Sequence, residues 1–152
     1  MDPNFAQAHT CLAHSYEDKG MYKEAIEELQ KAIALSKDNL AYVAYLGSAY
    51  ARAGRRDEAT KILNELMARS KREFVPAGLF CYIYAALGDK DQAFAWFEKA
   101  YQEHDDVMTG LKWDRHFDPL RSDPRYQELV RRVGLPPQDS LGRSHVFFER
   151  LV

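Results

Sequence analysis

At 152 residues, 46% of them hydrophobic, the chain is long enough to bury one core or one short repeat array, which excludes a wholly disordered segment. A formal net charge of -2 gives no global attraction to nucleic acid or to an anionic membrane surface. No apolar run is long enough to span a bilayer, the N-terminus lacks a basic and then apolar leader pattern, and the two cysteines, Cys11 and Cys81, lack zinc-site spacing and read as small buried hydrophobes.

Three glycines set the frame. Gly20, Gly54 and Gly88 stand 34 residues apart; Tyr16, Tyr50 and Tyr84 precede them by four positions, and Ala25, Ala59 and Ala93 follow by five. Leu29, Leu63 and Phe97, then Ala32, Leu66 and Ala100, keep the same register, and columns held over three units mark an internal repeat. In chain order, the apolar spacing predicts helices over 6–19 and 22–36, over 40–53 and 56–71, and over 74–87 and 90–104. In the second helix Ala25, Leu29, Ala32 and Ile33 make the apolar face, with Glu24, Glu27, Glu28 and Lys31 opposite. Each glycine falls where a first helix stops and the chain reverses, a position suited to left-handed backbone. Each following alanine stands where two antiparallel helices approach closely, so a large side chain there overpacks the hairpin. Pro76 is expected in the first turn of the fifth helix, where a missing N–H is tolerated. After residue 107 the register decays. Leu111, Trp113, Phe117 and Leu120 still demand burial, and Ser122-Asp123-Pro124 starts a last helix with Tyr126, Leu129, Val130 and Val133 on its apolar face, ending at Gly134 and Pro136.

Over residues 6–107 these columns resemble the tetratricopeptide repeat family, with Ala13, Gly47 and Cys81 at its small first-helix position and Leu12, Leu46 and Phe80 at the large one. The closing proline is a departure: that column reads Lys37, Lys71 and Asp105. The resemblance implies an all-α fold, a right-handed α-solenoid of helical hairpins. It divides the chain into an array over 1–137, with repeats at 6–39, 40–73 and 74–107 and a degenerate cap at 108–137, and a tail at 138–152. Asp2, Pro3 and Asn4 look like the end of a preceding repeat, so the first helix is expected to show a face that packs on a neighbour or self-associates. The stretch FDPLRSDPRYQELVRRVGLPP is similar to C-terminal segments of bacterial multidomain proteins in which such repeats follow a DNA-binding, kinase or cyclase module.

The first helices of successive hairpins line the concave side of such an array. This directs Gln7, Thr10, His14 and Glu17, then Ala41, Ala44, Tyr45, Ser48 and Arg52, then Val75, Gly78, Leu79, Tyr82 and Ala86 toward a groove. The candidate peptide-binding residues among them are Gln7, Thr10, His14, Tyr45, Ser48, Arg52, Leu79 and Tyr82. Tyr45 and Tyr82 are expected to act as rigid anchors, with Arg52 or His14 fixing a carboxylate or carbonyl. Two occupants fit this apolar trough, a peptide of another protein and the chain's own C-terminal cap. Family members that clamp a chaperone's terminal carboxylates use lysine, asparagine and arginine at columns that here hold Thr10, His14, Tyr45, Val75 and Leu79, so that partner is not expected. The apolar chain end offers Phe147, Phe148 and Leu151 as anchors for docking into a groove, against the alternative of an unstructured terminus.

No catalytic residue, metal site or cofactor is expected. His9 and His14 are five apart and cannot form an i, i+4 metal pair, while His104-Asp105-Asp106 and Asp114-Arg115-His116 fall at helix ends, where titratable side chains are solvated or capping. The fold implied above holds Cys11 and Cys81 too far apart for a disulfide. The reading is a non-catalytic protein-interaction scaffold, neither nucleic-acid-binding nor membrane-bound. Its competitors are an oligomerisation module, associating through the N-terminal face or the tail, and the regulatory sensor end of a larger bacterial transcription factor or kinase. A cytoplasmic location is expected, or a periplasmic one within a membrane-anchored parent.

Overall fold

The computed structural model describes residues 3–37 and 39–134, and every regular element among them is helical. Three hairpins follow one another: α1 (Pro3–Asp18) with α2 (Tyr22–Ser36), α3 (Leu40–Arg52) with α4 (Arg56–Arg69), and α5 (Gly78–Leu87) with α6 (Lys90–Gln102). A single turn, α7 (Val107–Gly110), a 3-10 segment (Arg115–Leu120) and α8 (Pro124–Arg132) complete the described chain. Stacking runs through α2 on α3 and α3 on α5, and the 3-10 segment packs back on α5.

One device makes all three reversals. Gly20, Gly54 and Gly88 have φ of +71°, +78° and +78°. The next residue's N–H then returns to the tyrosine carbonyl five positions back: Met21 to Tyr16 at 2.9 Å, Arg55 to Tyr50 at 2.9 Å and Asp89 to Tyr84 at 3.1 Å. The repeated Tyr-to-Gly spacing is thus the spacing of a helix C-terminal bond that needs left-handed backbone. Ala25, Ala59 and Ala93 are each completely buried at the helix crossing that follows.

The inter-repeat joints differ from the expectation. The fifth helix starts at Gly78, not at 74, and leaves Pro76 outside it. Its start is fixed from a distance by Asp105, the residue in the closing-proline column. One carboxylate oxygen accepts from Gly78 N and the other from Val107 N, both at 2.9 Å, so a single side chain caps α5 and α7 together. The first joint uses Lys37 in left-handed backbone (φ +47°) and Asn39, whose side chain accepts from Ala41 N at 3.0 Å.

Four side chains fall otherwise than their sequence pattern suggests. Glu28, assigned to a polar face, is covered between His9 (2.5 Å) and Lys31 (2.6 Å). Cys81 is buried but Cys11 is exposed, and both are free thiols. Leu12 is 43% exposed although Leu46 and Phe80, its equivalents, are buried. Those two pack on the hairpin before their own, and among the described residues nothing precedes Leu12 to cover it. Trp113 is 59% exposed, because Leu111, Phe117, Leu120, Tyr126 and Leu129 fill the space that the cap shares with Cys81, Ala93 and Phe97.

Candidate functional site

The 3-10 segment packs against the first helices of the three hairpins. His116, delivered by the 3-10 segment, lies among α1, α3 and α5: its ring stacks on Tyr45 (centroids 5.8 Å apart) and meets Tyr82 and His14 edge-on at 5.3 and 5.1 Å. Its Nε2 lies 3.1 Å from Glu17 Oε2 and its Nδ1 2.7 Å from Asp114 Oδ1. Glu17 also holds His14 Nδ1 at 3.1 Å, and Tyr82 OH donates to Asp114 Oδ2 at 2.8 Å. At the rim Arg115 pairs with Asp18 at 2.9 Å.

Burial alone would destabilise every charge in this group, yet the hydrogen bonds outweigh it. Desolvation pushes Glu17 up, but its bonds to His116 and His14 bring it down to about 2. Asp114 falls to about 2 in the same way, chiefly through His116. Desolvation lowers His116, but Asp114 and Glu17 raise it to about 9. The group is therefore an imidazolium held between two carboxylates. Burial also pushes the Tyr82 hydroxyl well above its ordinary range, so it remains a donor.

The sequence-predicted groove residues separate accordingly. His14, Tyr45, Arg52 and Tyr82 gather around His116, with Arg52 Nη1 3.9 Å from Glu17 Oε1. Thr10 is buried and donates to its own helix at Ala6 O (3.0 Å), and Ser48 is wholly buried. Neither is available to a ligand. Gln7 is exposed and accepts from Tyr42 OH at 3.1 Å. Leu79 belongs to a cleft of about 630 Å³. That cleft is lined by Ala41 and Tyr45 of α3, Leu79 and Tyr82 of α5, Phe74 and Pro76 of the joint before α5, and residues 103–107, 109 and 110. Phe74 is 75% exposed there.

Within Asp114-Arg115-His116 the expectation holds for exposed Arg115 but not for His116, which is buried. Asp114 does cap the 3-10 segment, accepting from His116 N at 3.0 Å, but His116 is buried against a helix 99 residues away in sequence. The legible part of that signal was the His14 to Glu17 spacing, three residues on one helical face. Phe147, Phe148 and Leu151 lie outside the described residues.

Two family models, each described as tetratricopeptide repeat, match residues 16–73 and 82–103. The chain is a tetratricopeptide repeat protein. The Bacillus subtilis (strain 168) TPR repeat-containing protein YpiA is 29% identical over 68 residues, which is 45% of this chain and 16% of that protein. The chain thus spans about a sixth of its relative's length. Tetratricopeptide repeats generally mediate protein–protein interaction, typically as non-catalytic scaffolds. In this repeat protein no helix among the described residues is long and apolar enough to cross a membrane.

Proposed function

We propose that this repeat array is a non-catalytic scaffold that binds a peptide of another protein in the open cleft between α3, α5 and residues 103–110. The exposed Phe74 in the lining of a largely apolar cleft carries this reading, since an aromatic side chain beside a pocket is the usual form of an interface anchor. A volume of about 630 Å³ suits one or two large side chains and not a whole helix. Glu103 and Asp106 also line the cleft, so the preferred peptide carries an apolar anchor beside a lysine or arginine.

Selection of a displayed random-peptide library on the full chain tests this. The expected consensus is apolar with an adjacent basic residue, and fluorescence anisotropy should show at least about tenfold weaker binding to Phe74→Ser. Selected peptides that bind Phe74→Ser with unchanged affinity would place recognition elsewhere.

A second reading rests on a separate observation: Phe5 (62% exposed) and Leu12 lie uncovered on α1. That face fits self-association between copies of the array.

A further inference from the structure

We infer that His14, Glu17 and His116 form a binding site for a divalent transition cation of the zinc class, with Asp114 as the outer partner that orients His116. Four observations converge on it. First, the three side chains each offer one ligand atom, and these atoms all lie within 4.8 Å of one another. Glu17 Oε2 is 3.1 Å from both imidazole nitrogens, close to the roughly 3.3 Å edge of a tetrahedron built on zinc–ligand bonds of about 2.0–2.1 Å. Second, the other carboxylate oxygen, Glu17 Oε1, is buried without a hydrogen-bond partner on a side chain only 2% exposed, Arg52 being too distant at 3.9 Å to supply one. A cation shared with the two histidines and chelated by both carboxylate oxygens gives Oε1 the partner it lacks.

Third, Asp114 Oδ1 at 2.7 Å from His116 Nδ1 fixes the tautomer that leaves the Nε2 lone pair toward Glu17 and His14, the outer carboxylate arrangement that metal-bound histidines characteristically use. Fourth, His14, Glu17 and His116 line a cleft of about 220 Å³, together with Arg52 and Trp113, which leaves room for water or an anionic group in a fourth position. Two imidazole nitrogens and one carboxylate select zinc, cobalt or nickel over magnesium or calcium, whose preferred ligands are oxygen. Glu17 and Asp114 balance the ion's two charges, and loading releases to solvent the proton that His116 Nε2 otherwise shares with Glu17. Bound there, the ion ties the first hairpin to the cap.

The test uses the full chain, free of any histidine tag and stripped with a chelator. Cobalt(II) titration should produce visible ligand-field absorption saturating at one equivalent, removed by zinc and unaffected by excess magnesium. His14 is partly exposed and touches the 3-10 segment only through its ring edge, with no hydrogen bond to it, so His14→Gln keeps the fold, verified by circular dichroism, and should weaken cobalt and zinc binding by at least about 100-fold. Asp114→Asn should weaken it about 10–100-fold, and His9→Gln should leave it unchanged. Absence of ligand-field bands, equal affinity in His14→Gln, or displacement of cobalt by magnesium would overturn the assignment.

Discussion

Gly78 shows how much a single position can demand without announcing it in sequence. Its backbone is ordinary helix, unlike the left-handed Gly54, but a Cβ placed on it would come within 2.6 Å of Val107 Cβ and 2.8 Å of Asp105 Oδ1. Val107 Cβ is fixed to the backbone of α7, and Asp105 Oδ1 is held by its hydrogen bond from Val107 N. Gly78→Ala should therefore lower stability by about 1–3 kcal/mol despite the better helix propensity of alanine, read as a fall in thermal midpoint. The turn glycines were legible because they recur with period 34 and each needs the same backbone. Gly78 belongs to no such column. Its requirement arises from a contact 29 residues on, which one-dimensional spacing does not encode.

Among the elements, the 3-10 segment was the least legible and proved the most consequential. Its core residues Phe117 and Leu120 were foreseen as buried, as was the start of α8 at Asp123 and Pro124. The destination of His116 was not, because an isolated histidine among charged neighbours reads as solvated until the opposing carboxylate is placed in space. In the metal-free protein this element gives folding a defined pH profile. His116 faces Glu17 and His14 on α1, Tyr45 on α3, Tyr82 on α5 and its own neighbour Asp114, with Arg52 behind Glu17. Glu17 and Asp114 have lowered folded-state values, so their contribution is complete above the ordinary carboxylate range and is lost as pH falls toward about 2. His116 has a raised value, so its contribution is complete below about 6.5 and is lost as pH rises through about 9. Urea unfolding with chelator present should give a stability maximum between about pH 5 and 6.5, declining on the alkaline side by on the order of 1–3 kcal/mol. His116→Gln should flatten that alkaline limb.

For the whole molecule, the repeat was the most legible feature and its two ends the least. Hairpin count, turn positions and the buried alanines follow from columns that each unit repeats. Leu12 broke its column in exposure because burial of that position depends on a neighbouring unit, and sequence identity within a repeat carries no record of the neighbour. The uncovered face on α1 predicts concentration-dependent association: light scattering should show a mass rising with concentration, and Leu12→Glu should hold the chain at 17.5 kDa. A monomer at all concentrations in both forms would remove the self-association reading.

The bond between Glu17 and His116 also changes what kind of object the array is. A solenoid whose units touch only their neighbours behaves as a line, able to fray from either end with each unit melting nearly on its own. Here the first hairpin is joined to the cap, so the line is drawn into a loop and neither of the joined units is a terminus in the energetic sense. Opening any one joint then strains the clasp, and loss of the clasp releases both ends together. Hydrogen exchange should accordingly report α1 and the 3-10 segment exchanging at matched rates, as one cooperative unit assembled from residues 99 apart in the chain.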